Sequence, residues 1–68
     1  MNKIKINTEI IKLYAFLKWA GIVSSGSEAK IYIQDELVKV NNEICNQRGK
    51  KLKVGDVVSF EDSDYEII

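Results

Sequence analysis

The residues with the greatest chemical reach in this chain are cations. Asn46-Gln47-Arg48-Gly49-Lys50-Lys51-Leu52-Lys53 holds four positive charges in eight residues. A guanidinium there can grip a phosphate through two hydrogen bonds, while the lysines act as point charges. Gly49 lets the backbone turn so that several of these side chains face one way. Upstream, Ser25-Gly26-Ser27-Glu28 has the spacing of a capping box, in which the Ser25 hydroxyl accepts from the Glu28 N–H and the Glu28 carboxylate reaches back. The backbone N–H groups of Gly26, Ser27 and Glu28 then stand at a helix start, where unpaired donors and the dipole favour an anion. The Glu28 carboxylate works against this by repelling phosphate. An anion-binding helix start and a plainly capped one both stand as readings.

Lys12, Lys18 and Lys30 add cations on expected helices. At 100° per residue, Lys12 and Trp19 fall about 20° apart, away from the apolar stripe. Trp19 either stacks on an unpaired base or sugar, or covers the edge of the core. The second reading is favoured, since one tryptophan supplies a large share of the buried area of so small a protein. Tyr14, Phe16 and Tyr32 are assigned to the core or its rim.

Other chemistries lack their residues. The chain has no His and one Cys, which excludes a Ser-His-Asp triad, a Cys-His pair and the usual zinc ligand sets. Cys45 lies in an expected strand as a small buried hydrophobe, and a lone thiol fits a reducing compartment. Asp56, after Gly55, forms a turn, and Asp62 and Asp64 decorate a solvated hairpin tip. No nucleophile, base and orienting group assemble. The expectation is a protein without catalytic activity, cofactor or bound metal.

The elements that must position these residues follow from periodicity. Lys3-Ile4-Lys5-Ile6 alternates as a short strand with Ile4 and Ile6 inward. A helix is expected over Thr8–Ala20, capped by Asn7 or Thr8, with Ile10, Leu13, Leu17 and Ala20 on one stripe and Gly21 ending it. A second helix runs from about Gly26 to Gln34, with Ala29, Tyr32 and Ile33 available to face inward. Asp35-Glu36 closes it without the usual glycine. From Leu37 the period becomes two: Leu37–Val40 and Glu43–Cys45 flank a turn at Asn41-Asn42. Val57–Glu61 and Tyr65–Ile68 form a second hairpin around Asp62-Ser63-Asp64. The expected fold class is α+β, a two-helix helix-turn-helix unit packed on a small antiparallel sheet.

Sixty-eight residues imply one domain over 1–68, folding to roughly 4,400 Å² of exposed surface and burying about 61% of that of the unfolded chain. No apolar run approaches the roughly 18 residues of a membrane helix, and Met1–Asn7 lacks a signal-peptide core. A cytoplasmic protein with no membrane partner is expected. Net charge is zero, but all ten cations precede Val54, whereas Asp56, Glu61, Asp62, Asp64 and Glu66 follow it unopposed. Such a chain can present a basic binding face and an acidic back.

Leu17-Lys18-Trp19-Ala20-Gly21-Ile22-Val23-Ser24-Ser25-Gly26-Ser27-Glu28-Ala29-Lys30 resembles the helix-turn-helix opening of the S4-type RNA-binding domain. Val38-Lys39-Val40-Asn41-Asn42 is similar to that family's Val-x-Val-Asn-Gly, and Val54-Gly55-Asp56-Val57-Val58 to its Gly-Asp-x-Ile. The resemblance covers roughly Leu13–Phe60 and is greatest to free-standing bacterial proteins made of this domain alone. Gly26 departs from the family's pattern, standing where many members carry an Arg. Glu36 and Asn42 replace glycines common at two turns.

The resemblance implies RNA binding through the two helices and the following basic loop, which in that fold lies beside the second helix. Structured ribosomal or transfer RNA is the implied partner, with a function in ribosome assembly or maturation. The expected RNA-binding residues are Lys12, Lys18, Ser25, Gly26, Ser27, Lys30, Arg48, Lys50, Lys51 and Lys53, acting as a monomer by shape and phosphate recognition. The alternative from another class is a protein–protein adaptor using the sheet and the acidic C-terminal half. Duplex DNA binding ranks lower. No recognition helix offers Arg, Asn or Gln to a groove, and Gln34 comes too late in its helix.

Overall fold

A computed structural model describes all 68 residues. In chain order the elements are β1 (Asn2–Ile4), β2 (Ile11–Lys12), α1 (Leu13–Trp19), α2 (Gly26–Gln34), β3 (Val38–Val40), β4 (Glu43–Ile44), β5 (Lys51–Leu52), β6 (Val57–Phe60) and β7 (Ser63–Ile67). This is the expected α+β class, a helix pair on a small sheet. The main sheet has the order β1-β7-β6-β3-β4, and β2 pairs with β5 in a separate two-stranded ladder. Its β7-β6-β3-β4 portion is antiparallel, whereas β1 joins β7 in parallel, with Lys3 beside Glu66. The sheet is therefore mixed.

Period two explains which face is covered. Val38 and Val40 of β3, Val58 of β6 and Ile67 of β7 are buried, while Lys39 and Asp64 on the alternate positions are exposed. Leu13, Phe16 and Leu17 of α1 and Ala29 and Ile33 of α2 complete the core with Ile6, Val23 and Leu52. Tyr32 packs on Phe60 at its rim, ring centroids 5.0 Å apart. The total accessible surface, 4537 Å², is close to the size-scaling expectation.

The first helix starts five residues later than its periodicity predicts, at Leu13 instead of Thr8. No side chain caps it. Instead the Leu13 and Tyr14 N–H groups donate to the carbonyls of Lys50 (2.8 Å) and Arg48 (3.1 Å). Ile11 pairs with Leu52 and Lys12 with Lys51 in the β2–β5 ladder. Ile10, expected inward, is 52% exposed. A long-range ladder thus takes the backbone that local periodicity assigns to a helix. One further consequence is that Lys12 has an extended backbone, so the helical angle relating it to Trp19 does not hold.

Both helices end in the same motif. Gly21 takes φ +75°, and its N–H donates to Lys18 while that of Ile22 donates to Leu17, the paired bonds of a Schellman end. Glu36 takes φ +60°, with its own N–H on Ile33 and that of Leu37 on Tyr32. A side chain therefore occupies a left-handed position that glycine fills at the end of α1, at some cost. Asn41 and Asn42 both have positive φ (51° and 71°), as a two-residue type I′ hairpin needs. The second hairpin turns on Glu61-Asp62, and Ser63 and Asp64 are already in β7. The turn begins one residue earlier than expected and is one residue shorter, and Ser59 Oγ donates to the Asp64 carboxylate across the ladder (2.6 Å).

Candidate nucleic-acid interface

The loop whose carbonyls cap α1 is the basic loop itself. Because Arg48 and Lys50 are fastened to Leu13 and Tyr14 through their backbones, their side chains remain free to leave the loop. Arg48 and Gly49 are carried to the first turn of α2. There, with Lys12, Tyr14, Gly26, Ser27 and Lys30, they line an open groove of about 650 Å³. Three cations from three separate segments thus converge at a helix start, and all three are exposed. Across the β2–β5 ladder Lys51 directly opposes Lys12. Like charges so paired repel one another, and the pair adds positive potential at the same edge.

The helix start has the expected cap with one change. Ser25 Oγ accepts from the Glu28 N–H (3.2 Å), but the Glu28 carboxylate accepts from Ser24 (3.0 Å), one residue before the cap. Glu28 is not part of the groove lining. Its charge is tied back on the approach to the helix, which weakens the objection that it repels a phosphate at Gly26 and Ser27. Gly26 is open as well, since a Cβ placed there would meet only Tyr14 Cδ2, at 3.9 Å.

Not every expected residue joins this groove. Lys18 lines an adjoining hollow with Trp19. Ser25 is occupied as the cap. Lys50 borders a hollow against the β3–β4 hairpin with Asn41. The Lys53 N–H donates to Asp56 Oδ2 (2.9 Å), and the charges of Lys53 and Lys50 both act on that carboxylate. Of the basic loop, Arg48 and Gly49 line the groove, Lys51 stands opposite Lys12 in the ladder, and Lys50 lines the neighbouring hollow.

Asp56 does more than form a turn. Its Oδ1 accepts from Asn41 Nδ2 (3.2 Å), and Asn41 Oδ1 accepts from the Val57 N–H (2.9 Å), joining two turns distant in sequence. Partial burial pushes the Asp56 carboxyl up. The Lys53 amide, the Asn41 side chain and the charges of Lys53 and Lys50 outweigh this and hold it below the usual carboxylate value. Neither turn reveals this link in sequence, although the motifs Val-Asn-Asn and Gly-Asp contain both residues.

Trp19 is 52% exposed and lies outside the core, its Nε1–H donating to the Lys5 carbonyl (2.8 Å). The indole is thus tied to the segment that follows the terminal strand β1, as the edge reading expects, but half of it stays exposed and it adds nothing to the core itself. Phe16 supplies core area instead, fully buried, while Cys45 is only half-buried.

This helix pair, with the basic loop bound to its flank and the Asn41–Asp56 link behind it, coincides with a family pattern. A model of the S4 domain matches residues 4–68. The chain belongs to the S4 domain family. It is also 50% identical over 60 residues, 88% of this chain and 84% of the relative, to "Probable ribosome maturation protein RlbA" of Bacillus subtilis (strain 168). As an S4 domain the chain is RNA-binding in type. No helix is long and apolar enough to cross a membrane.

Proposed function

We propose that this S4 domain is a non-catalytic, cytoplasmic protein that binds structured ribosomal RNA during ribosome maturation, as a monomer. The observation that carries the reading is the convergence of Lys12, Lys30 and Arg48 on the groove at the start of α2. A phosphate held there meets three cations and the amides of Gly26 and Ser27, a combination of charge and preformed donors suited to backbone recognition. The similarity to a ribosome maturation protein supports ribosomal RNA over transfer RNA. The adaptor alternative has less support. The outer face of the sheet carries Lys39, Asp64 and Glu66, and Ile44 is the large exposed hydrophobe beside them, which falls short of a contiguous apolar patch.

Lys12, Lys18, Lys30, Arg48 and Lys51 together would release about five counterions, giving a log–log salt slope near −3.5 to −4.5. The double change Lys30→Ala and Arg48→Ala is expected to make the slope shallower by between one and two, with little effect on folding because both side chains are exposed. Titrating both proteins against ribosomal RNA at several salt concentrations tests this. Equal slopes and affinities would refute the groove as the site and favour the adaptor.

A further inference from the structure

Next to the basic groove lies a second one of different character. It measures about 490 Å³ and is lined by Ile11, Tyr14, Ala15, Lys18, Trp19 and Gly26. Two of these are aromatic side chains that a protein of this size would ordinarily bury, yet Trp19 is 52% and Tyr14 37% exposed. Neither belongs to the core or to the partly buried residues packed against it. The single polar group of Trp19 is satisfied by the Lys5 carbonyl at 2.8 Å, which fixes the indole at the surface and leaves it only apolar ring to offer. The two grooves share Tyr14 and Gly26, and residue 26 has no side chain to divide them. A chain of phosphates lying in the first would have its next base at the mouth of the second, with Lys18 at the rim.

Resting on the RNA-binding reading above, we propose that this second groove is a stacking site for one unpaired nucleobase. The RNA held by the protein would then carry an extrahelical nucleotide beside the phosphates gripped by Lys12, Lys30 and Arg48. Every base has a π-face, so an aromatic platform takes an unpaired base whatever its identity. A fully paired helix keeps its bases stacked inside and cannot use it. Continuity with the cationic groove favours a nucleotide over an apolar peptide segment, which the lysines would not recruit.

The test uses two RNA hairpins of one sequence, fully paired or carrying a single-adenosine bulge, titrated at low salt. Trp19 is the only tryptophan, so its emission reports directly on the site. The bulged hairpin should bind at least about fivefold more tightly and quench Trp19, fivefold being the lower end for one stacked base. Trp19→Ala should abolish that preference while leaving the affinity for the paired hairpin within about twofold. Because Trp19→Ala also breaks the bond to Lys5, Ala15→Gln provides a second variant. It fills the groove from α1, leaves the indole anchored and should abolish the preference equally. Equal affinities for the two hairpins with unquenched Trp19 would overturn the stacking site and leave the phosphate groove standing. Failure of both hairpins to bind would overturn both.

Discussion

Asp56 has no part in the groove, yet it holds together the turns behind it. Its carboxylate accepts from Lys53 and Asn41, and Asn41 in turn accepts from Val57, so one charge fixes the end of β5, the β3–β4 turn and the start of β6. Because the folded state holds this carboxyl below its unfolded value, near 3.8, folding favours the ionised form. The resulting stability is complete from about pH 5 upwards, about one unit above the unfolded value, and is lost as pH falls through the lower, folded one. Asp56→Ala should cost about 1 kcal/mol near neutral pH, below the roughly 1.5–3 kcal/mol of charged hydrogen bonds because solvent screens this partly exposed group. The gap between the two proteins should narrow on acidification. Melting temperatures from pH 6 down to pH 2 check both statements, and a gap independent of pH would mean that the carboxylate contributes no more than its shape.

The β2–β5 ladder is the element that sequence periodicity concealed. Ile10, Leu13 and Leu17 have the spacing of one helical stripe, and nothing local indicates that Ile11 and Lys12 pair with residues 51 and 52. The second helix, its Ser25 cap and the Asn41-Asn42 turn were legible, because each is decided by contacts within a few residues. The same distinction applies to the site. Lys12, Lys30 and Arg48 could be named from charge and resemblance, whereas the tie that Asp56 makes between the Lys53 amide and Asn41 joins turns distant in sequence. The ladder also sets Lys12 against Lys51 on one face, where like charges directly opposite each other repel. Lys51→Thr should therefore raise stability slightly, by up to about 1 kcal/mol, since it relieves a like-charge pair and introduces a good strand former. It should also weaken RNA binding and make the salt slope shallower by about one. Thermal unfolding and a salt titration of the same variant test the two effects together, and loss of both stability and affinity would show that the pair is not a strained binding device.

For the whole molecule the question is how far its acidic half acts on its basic one. The groove lies at the first turn of α2, whereas Phe60 packs against Tyr32 in the last turn, and the Glu61-Asp62 tip follows Phe60 directly. A nine-residue helix is about 13 Å long, so along α2 the acidic tip stands roughly a helix length from the Gly26–Ser27 end of the groove, with Lys30 nearer. That length exceeds the Debye length at physiological ionic strength, about 8 Å, but falls well within the 30 Å that applies at 0.01 M. The longest dimension of the molecule, 26 Å, is also shorter than this low-salt length. Replacing Glu61, Asp62 and Asp64 by Gln, Asn and Asn should therefore leave affinity for ribosomal RNA almost unchanged at 0.15 M salt and raise it at 0.01 M, chiefly through faster association. Association rates of wild type and the triple variant at the two salt concentrations give the comparison. A marked loss of binding in either condition would mean that RNA contacts the acidic half, contrary to a basic face with an acidic back.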